Sequence, residues 1–232
     1  LRKYLEYLES SGAPLRNVLI VFAPEIFGIE YDCENLSVLV PPAVERGGVR
    51  YMLSFHYKYF MGFANYRYIS PLLVYEFTGR REKVTDVPVF SMQPICYDWE
   101  INEESVPEWD MILDKDPALL HEKSSYDFSF THDTPYTRLA TLIDNDEKSD
   151  LEAIAALLAR NRSDYRVLLA PTPKLYLLSY EDESVLSGIF GDRFVNVSGK
   201  FRAEQSDSSN FYDTIHYRSR LASKYMQAAY IR

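Results

Sequence analysis

The 232-residue chain has two cysteines, Cys33 and Cys96, too few for a disulfide framework and in no zinc-binding spacing. They fit either one disulfide outside the cytosol or two buried thiols. There is no G-x-G-x-x-G and no phosphate-binding Gly-Lys loop, so nucleotide binding is not expected, and no histidine pair has metal spacing. The expected cofactor and metal complement is therefore none. No run approaches the ~20 apolar residues that span a bilayer, and the N-terminus lacks a signal-peptide pattern. Positive charge is also scarce: 25 Lys and Arg against 34 Asp and Glu give a net charge of −9. That balance, without a long basic cluster, argues against a nucleic-acid partner and against an anionic membrane surface.

What the chain does have is aromatic surface, with 19 Tyr and 13 Phe. Tyrosine combines apolar area with a polar tip, which suits cores, partner interfaces and sugar-stacking grooves. At 47% hydrophobic and 25% charged, the composition is that of a globular protein, long enough for one sizeable core.

Periodicity organises the chain. Leu1, Leu5 and Leu8 recur at helical spacing until Ser10-Ser11-Gly12 and Pro14 interrupt it. Because it begins in helical register and without Met, the chain is expected to have lost a preceding segment. The run Val18–Ala23 is apolar and rich in β-branched residues, as expected of a strand buried in a parallel sheet. Residues 49–66 return to helical spacing with an aromatic stripe expected to pack on the core or a partner, His56 within it. Residues 84–101 suggest extended edge structure or a hairpin, and the acidic stretch 98–116 a solvated face. Asp144-Asn145-Asp146 should start an amphipathic helix, and Asp164 should lead into a second buried strand, VLLAPTP, of the same shape as VLIVFAP. A helix to Phe190 closed by Gly191, a strand at Phe194–Val197 and a final helix from His216 to Ile231, with Leu221, Tyr225, Met226 and Ala229 on one stripe, complete the pattern. Helix and buried strand in alternation predict a three-layer α/β/α sandwich with a mainly parallel sheet. One domain over residues 1–232 is expected, with an aromatic-rich insertion at about 24–112.

The stretch that carries chemistry is NFYDTIHY, residues 210–217. If the last helix starts there, Asp213 and His216 lie on one side of its first turn. A carboxylate that fixes the imidazole tautomer leaves the other ring nitrogen free to act as a general base on a hydroxyl. The same spacing also suits a plain helix start, with Asp as cap. Glu25 and Lys174, each just past a strand, read as solvated loop charges.

Asp213-Thr214-Ile215-His216, after a strand and a polar loop at the end of an α/β chain, resembles the terminal block of the SGNH/GDSL hydrolase superfamily. The closer likeness is to its cell-envelope branch, which includes proteins of alginate O-acetylation and of D-alanyl-lipoteichoic acid biosynthesis. The resemblance implies an esterase or O-acyltransferase of Ser-His-Asp type, with Asp213 and His216 catalytic. It also implies an acylated carbohydrate or cell-envelope polymer as substrate and an extracytoplasmic or cell-envelope location. Membrane contact is expected only through a missing N-terminal segment. The nucleophilic Gly-Asp-Ser block is not found in this chain, and neither Ser10 nor Ser11 follows a strand, so the resemblance implies an enzyme whose nucleophilic Ser lies upstream of Leu1 or is unrecognised within the chain. The alternative reading is a non-catalytic binding or assembly module whose Tyr/Phe-rich insertion contacts a protein partner.

Overall fold

The computed structural model describes residues 1–27, 41–45, 47–64, 66–79, 96–98, 103–121, 135–212 and 216–230. Cys33 and Asp213 lie outside them. Two compact units form: one from Leu1–Ile29 with Cys96–Arg232, the other from Glu30–Ile95. The second unit falls inside the 24–112 segment.

In the first unit, α1 (Arg2–Ser10) precedes β1 (Asn17–Phe22). A short hairpin pairs β2 (Cys96–Asp98) antiparallel with β3 (Glu103–Ser105), and α5 (Pro107–Lys115) and α6 (Ala118–His121) follow. Then come β4 (Thr137–Arg138), α7 (Asn145–Arg160), β5 (Asp164–Leu169), β6 (Tyr176–Leu177) and α8 (Tyr180–Phe190). The chain closes with β7 (Phe194–Asn196), α9 (Arg202–Gln205) and α10 (Ser219–Tyr230). The second unit contains α2 (Pro42–Glu45), α3 (Gly48–Phe63) and α4 (Tyr66–Thr78).

The main sheet is parallel, in the order β1-β5-β7, with Asn17 opposite Asp164, Phe22 opposite Leu169 and Val167 opposite Phe194. Strand side chains alternate between faces, and the two faces bury different partners. Ile20, Phe22, Tyr165, Val167 and Leu169 pack with Leu5, with Ile154, Leu157 and Leu158 of α7, and with Leu186 and Phe190 of α8. Leu168, Ala170 and Val197 pack on the other side with Phe211 and with Leu221, Tyr225 and Ala229 of α10. Helices on both faces of a parallel sheet make this an α/β sandwich, as the alternating pattern predicts.

Local chemistry fixes the helix ends. Asp144 accepts from the Glu147 N–H at 2.8 Å, and the Glu147 carboxylate accepts from the Asp144 N–H at 3.1 Å, a reciprocal capping box at the start of α7. Gly191, with φ +55°, ends α8 in the left-handed region that glycine enters without steric cost. Fully buried Asp182 accepts from the Leu142 and Ile143 N–H groups at 2.9 and 3.0 Å, tying the loop before α7 to α8. Glu9 receives two hydrogen bonds from Arg160 and one from Asn161, which locks α1 to the end of α7.

Three expectations change. The last helix begins at Ser219, not at His216. Phe211 instead bridges Tyr217, and the Tyr212 N–H donates to the His216 carbonyl at 2.8 Å. Met226, expected on the buried stripe of this helix, is exposed, while Leu221, Tyr225 and Ala229 are buried. His56 is exposed rather than packed in a core, touching Phe55 ring edge to face at a centroid distance of 5.4 Å.

Candidate functional site

In open parallel sheets, ligands bind beyond the carboxyl ends of the strands. Here that edge is formed by the turns after Phe22, Leu169 and Asn196. Phe211, fully buried, packs with Ala170 and Val197, the residues that leave β5 and β7. The chain that leads from Phe211 to His216 therefore starts at this edge of the sheet.

The loop is held from outside. Arg218, buried, donates through Nε to Asp110 at 2.6 Å and through Nη1 to Asp114 at 2.7 Å, joining the loop's end to α5. Tyr212 donates its hydroxyl to the same Asp110 carboxylate at 2.9 Å and sets its ring against Trp109. Burial, then the hydrogen bond to Asp110, push the Tyr212 hydroxyl up to about 12. The Arg218 N–H donates to the Asn210 carbonyl at 2.8 Å. Both ends of the segment are thus pinned, and the His216 side chain is exposed. Part of the acidic stretch expected to be a solvated face is instead the anchor of this loop.

A polar chain runs beneath the edge. Tyr136 donates to the Gln205 Oε1 at 2.7 Å, and the fully buried Gln205 donates through Nε2 to the Thr172 carbonyl at 2.8 Å. Thr172 Oγ1 lies 3.4 Å from Glu25 Oε2. Glu25 occupies the 3-10 turn Pro24–Ile26 that ends β1, and its Oε1 is buried without a partner among the described residues. Burial raises its carboxyl above the ordinary range, with Lys174 pulling weakly the other way. It is therefore not the solvated loop charge that its position in the sequence suggests. The buried hydroxyl of Tyr225 is likewise unpartnered among the described residues, and desolvation raises it strongly.

Three non-glycine residues among those described have positive φ, and one of them, Arg162 at +53°, precedes β5 at the opposite edge. Leu175, after β5, and Phe201, after β7, have φ of +55° and +60°, a region that bulky side chains rarely enter. Such residues persist only where the surroundings over-determine them, and here they stand at both ends of β5.

Comparison with family models, with curated proteins and with solved structures finds no match. The chemistry must be argued from the geometry. His216 stands on a pinned loop at the carboxyl edge; Asp213 lies outside the described residues. Among the described serines at this edge, Ser198 follows β7 but is buried and donates to Asn196 Oδ1 at 2.7 Å, a turn-stabilising role. Among the described residues no group of His, Cys, Asp and Glu could hold a metal ion, and no helix is long and apolar enough to cross a membrane. Sequence reasoning missed the Arg218 anchor and the Glu25–Thr172–Gln205–Tyr136 chain. The only local signal was the recurrence of Ala-Pro after both strands, which marks where the turns begin.

Proposed function

We propose that this protein is an SGNH-like acyl-ester hydrolase or O-acyltransferase acting on an acylated carbohydrate or cell-envelope polymer. The observation that carries the reading is the position of the His216 loop, rooted through Phe211 at the carboxyl edge of a parallel sheet and pinned by Arg218 to α5. His216 is the general base and Asp213 orients its ring. A serine hydroxyl gives its proton to His216 as it attacks the acyl carbonyl, and backbone N–H groups hold the oxyanion. The alcohol departs with the proton that His216 returns, and water or a sugar hydroxyl then takes the acyl group.

The solvent-facing imidazole supports a bulky substrate, since a polymer can reach it without entering an enclosed pocket. A fluorophosphonate probe tests the reading. Covalent labelling of one serine in the wild-type protein, lost in His216→Ala, is the expected result. No labelling of the folded wild-type protein would return the chain to the class of binding modules that kept the fold without the chemistry.

A further inference from the structure

Trp109 and Tyr212 pair their rings at a centroid distance of 6.0 Å, tilted by 53°. Both are half-buried, so neither belongs wholly to the core. The backbone fixes which side Tyr212 takes. Phe211 bridges Tyr217 antiparallel, and this bridge is flanked by the Tyr212 N–H to the His216 carbonyl and the Arg218 N–H to the Asn210 carbonyl. In that register Tyr212 stands opposite His216. Opposed residues of an antiparallel pair send their side chains to one face, with Cβ atoms about 4.5–5.5 Å apart. Phe211 and Tyr217 take the other face, where Phe211 is fully buried and Tyr217 sets its ring against Tyr225. Tyr212 therefore shares the face of His216 and brings Trp109 to its flank.

The acceptors around these rings are carboxylates. Asp110 takes the Tyr212 hydroxyl at 2.9 Å and Arg218 Nε at 2.6 Å on one oxygen, Oδ1. Asp114, its side chain 60% exposed, takes Arg218 Nη1 at 2.7 Å, also on Oδ1. No hydrogen bond among the described residues uses the second oxygen of Asp114. A carboxylate oxygen is an acceptor only, so it suits a hydroxyl and repels another acid. Arg218 is engaged by the two carboxylates, and Arg220 donates to Asn210 Oδ1 at 2.9 Å and to Ser209 Oγ at 2.6 Å.

We propose that Trp109 and Tyr212 are a stacking platform that holds a neutral sugar ring of the substrate beside His216. The apolar C–H face of a pyranose meets the electron-rich face of an aromatic ring, and Trp offers the largest such face. Asp114 accepts from the sugar hydroxyls, and the same carboxylate turns away uronates. Tyr212 is already held by Asp110, so binding has little left to order, which favours affinity. The proposal rests on the acyl-transfer reading for the role of His216, and goes beyond it in assigning the residues that select the substrate.

The experiment is isothermal titration of the whole protein with cellohexaose, chitohexaose and hexagalacturonate. Wild type should bind at least one of the two neutral oligomers, about tenfold or more tighter than the uronate. Trp109→Phe keeps an aromatic face and should bind like wild type, whereas Trp109→Leu fills the space without one and should lose about tenfold. Urea unfolding checks that both variants fold. A second readout needs no variant: bound saccharide should protect Trp109 of the wild type from oxidation by N-bromosuccinimide, scored by peptide mass. No binding of either neutral oligomer by the folded wild type would overturn the proposal. So would binding that leaves Trp109 unprotected, or a tighter grip on hexagalacturonate. None of these readouts requires turnover, so an inactive protein that binds through Trp109 would sink the acyl-transfer reading and leave the platform standing.

Discussion

Arg218 and Asp110 meet at 2.6 Å across 108 positions of sequence, and the guanidinium is nearly enclosed by protein. The pair decides where the last helix starts. With the Arg218 backbone N–H given to Asn210 and its side chain to α5, residue 218 becomes the point at which the loop ends and α10 begins.

Replacing Arg218 leaves Asp110 without its cation and opens a gap beside Tyr212. Truncating one partner of a buried pair costs about 3–5 kcal/mol, and the partial exposure of Asp110 reduces this to about 2–3 kcal/mol for Arg218→Ala. Asp114→Ala, at the more exposed carboxylate, should cost under about 1 kcal/mol. Urea unfolding of the two variants checks the order. Equal losses would show that the anchor does not run through Asp110.

Two buried tyrosine hydroxyls should behave oppositely. Tyr136→Phe strands the Gln205 carbonyl oxygen in a buried setting and should destabilise by about 1–2 kcal/mol. Tyr225→Phe removes a hydroxyl with no partner among the described residues, so it should be neutral or stabilising by up to about 1 kcal/mol. Thermal melts of both variants, read as a difference, test the polar chain without reference to activity.

Glu25 and Glu9 set opposite pH limits. The Glu25 carboxyl is raised by burial, so the folded state prefers it protonated and loses stability as pH rises from about 4.5 through the folded value. Glu25→Gln should match wild type near pH 4 and surpass it increasingly above that. Arg160 and Asn161 hold the Glu9 carboxyl down to about 2, so its contribution is full above 4.5 and fades as pH falls toward 2. Glu9→Gln should flatten the acid side of the melting-temperature profile. A profile unchanged on both sides would contradict both assignments.

Much of the sheet was legible because its signals are local. Val18–Phe22 and Val167–Leu169 are uninterrupted apolar runs, and Asp144 with Glu147 spells a capping box in four residues. The candidate site was legible only in part. Asp213-x-x-His216 stands out in the sequence, but the anchoring of Arg218, two residues beyond it, depends on Asp110 and Asp114, more than a hundred residues away. Nothing near Asp110 separates it from a solvated acid. Glu25 was misread for a similar reason: its side-chain neighbour Thr172 arrives 147 positions later in the chain. His56 sits on an aromatic helix, and periodicity alone could not tell which of its sides faces the protein.

The account rests most directly on His216. The decisive measurement is steady-state hydrolysis of a p-nitrophenyl acyl ester by the wild-type protein and by His216→Ala. The His216 side chain is exposed and it is the backbone carbonyl that accepts the Tyr212 N–H, so unfolding curves should coincide. The account predicts a fall in kcat of about 10²–10⁴, the typical contribution of a general base. Unchanged turnover by a fully folded His216→Ala protein would contradict it.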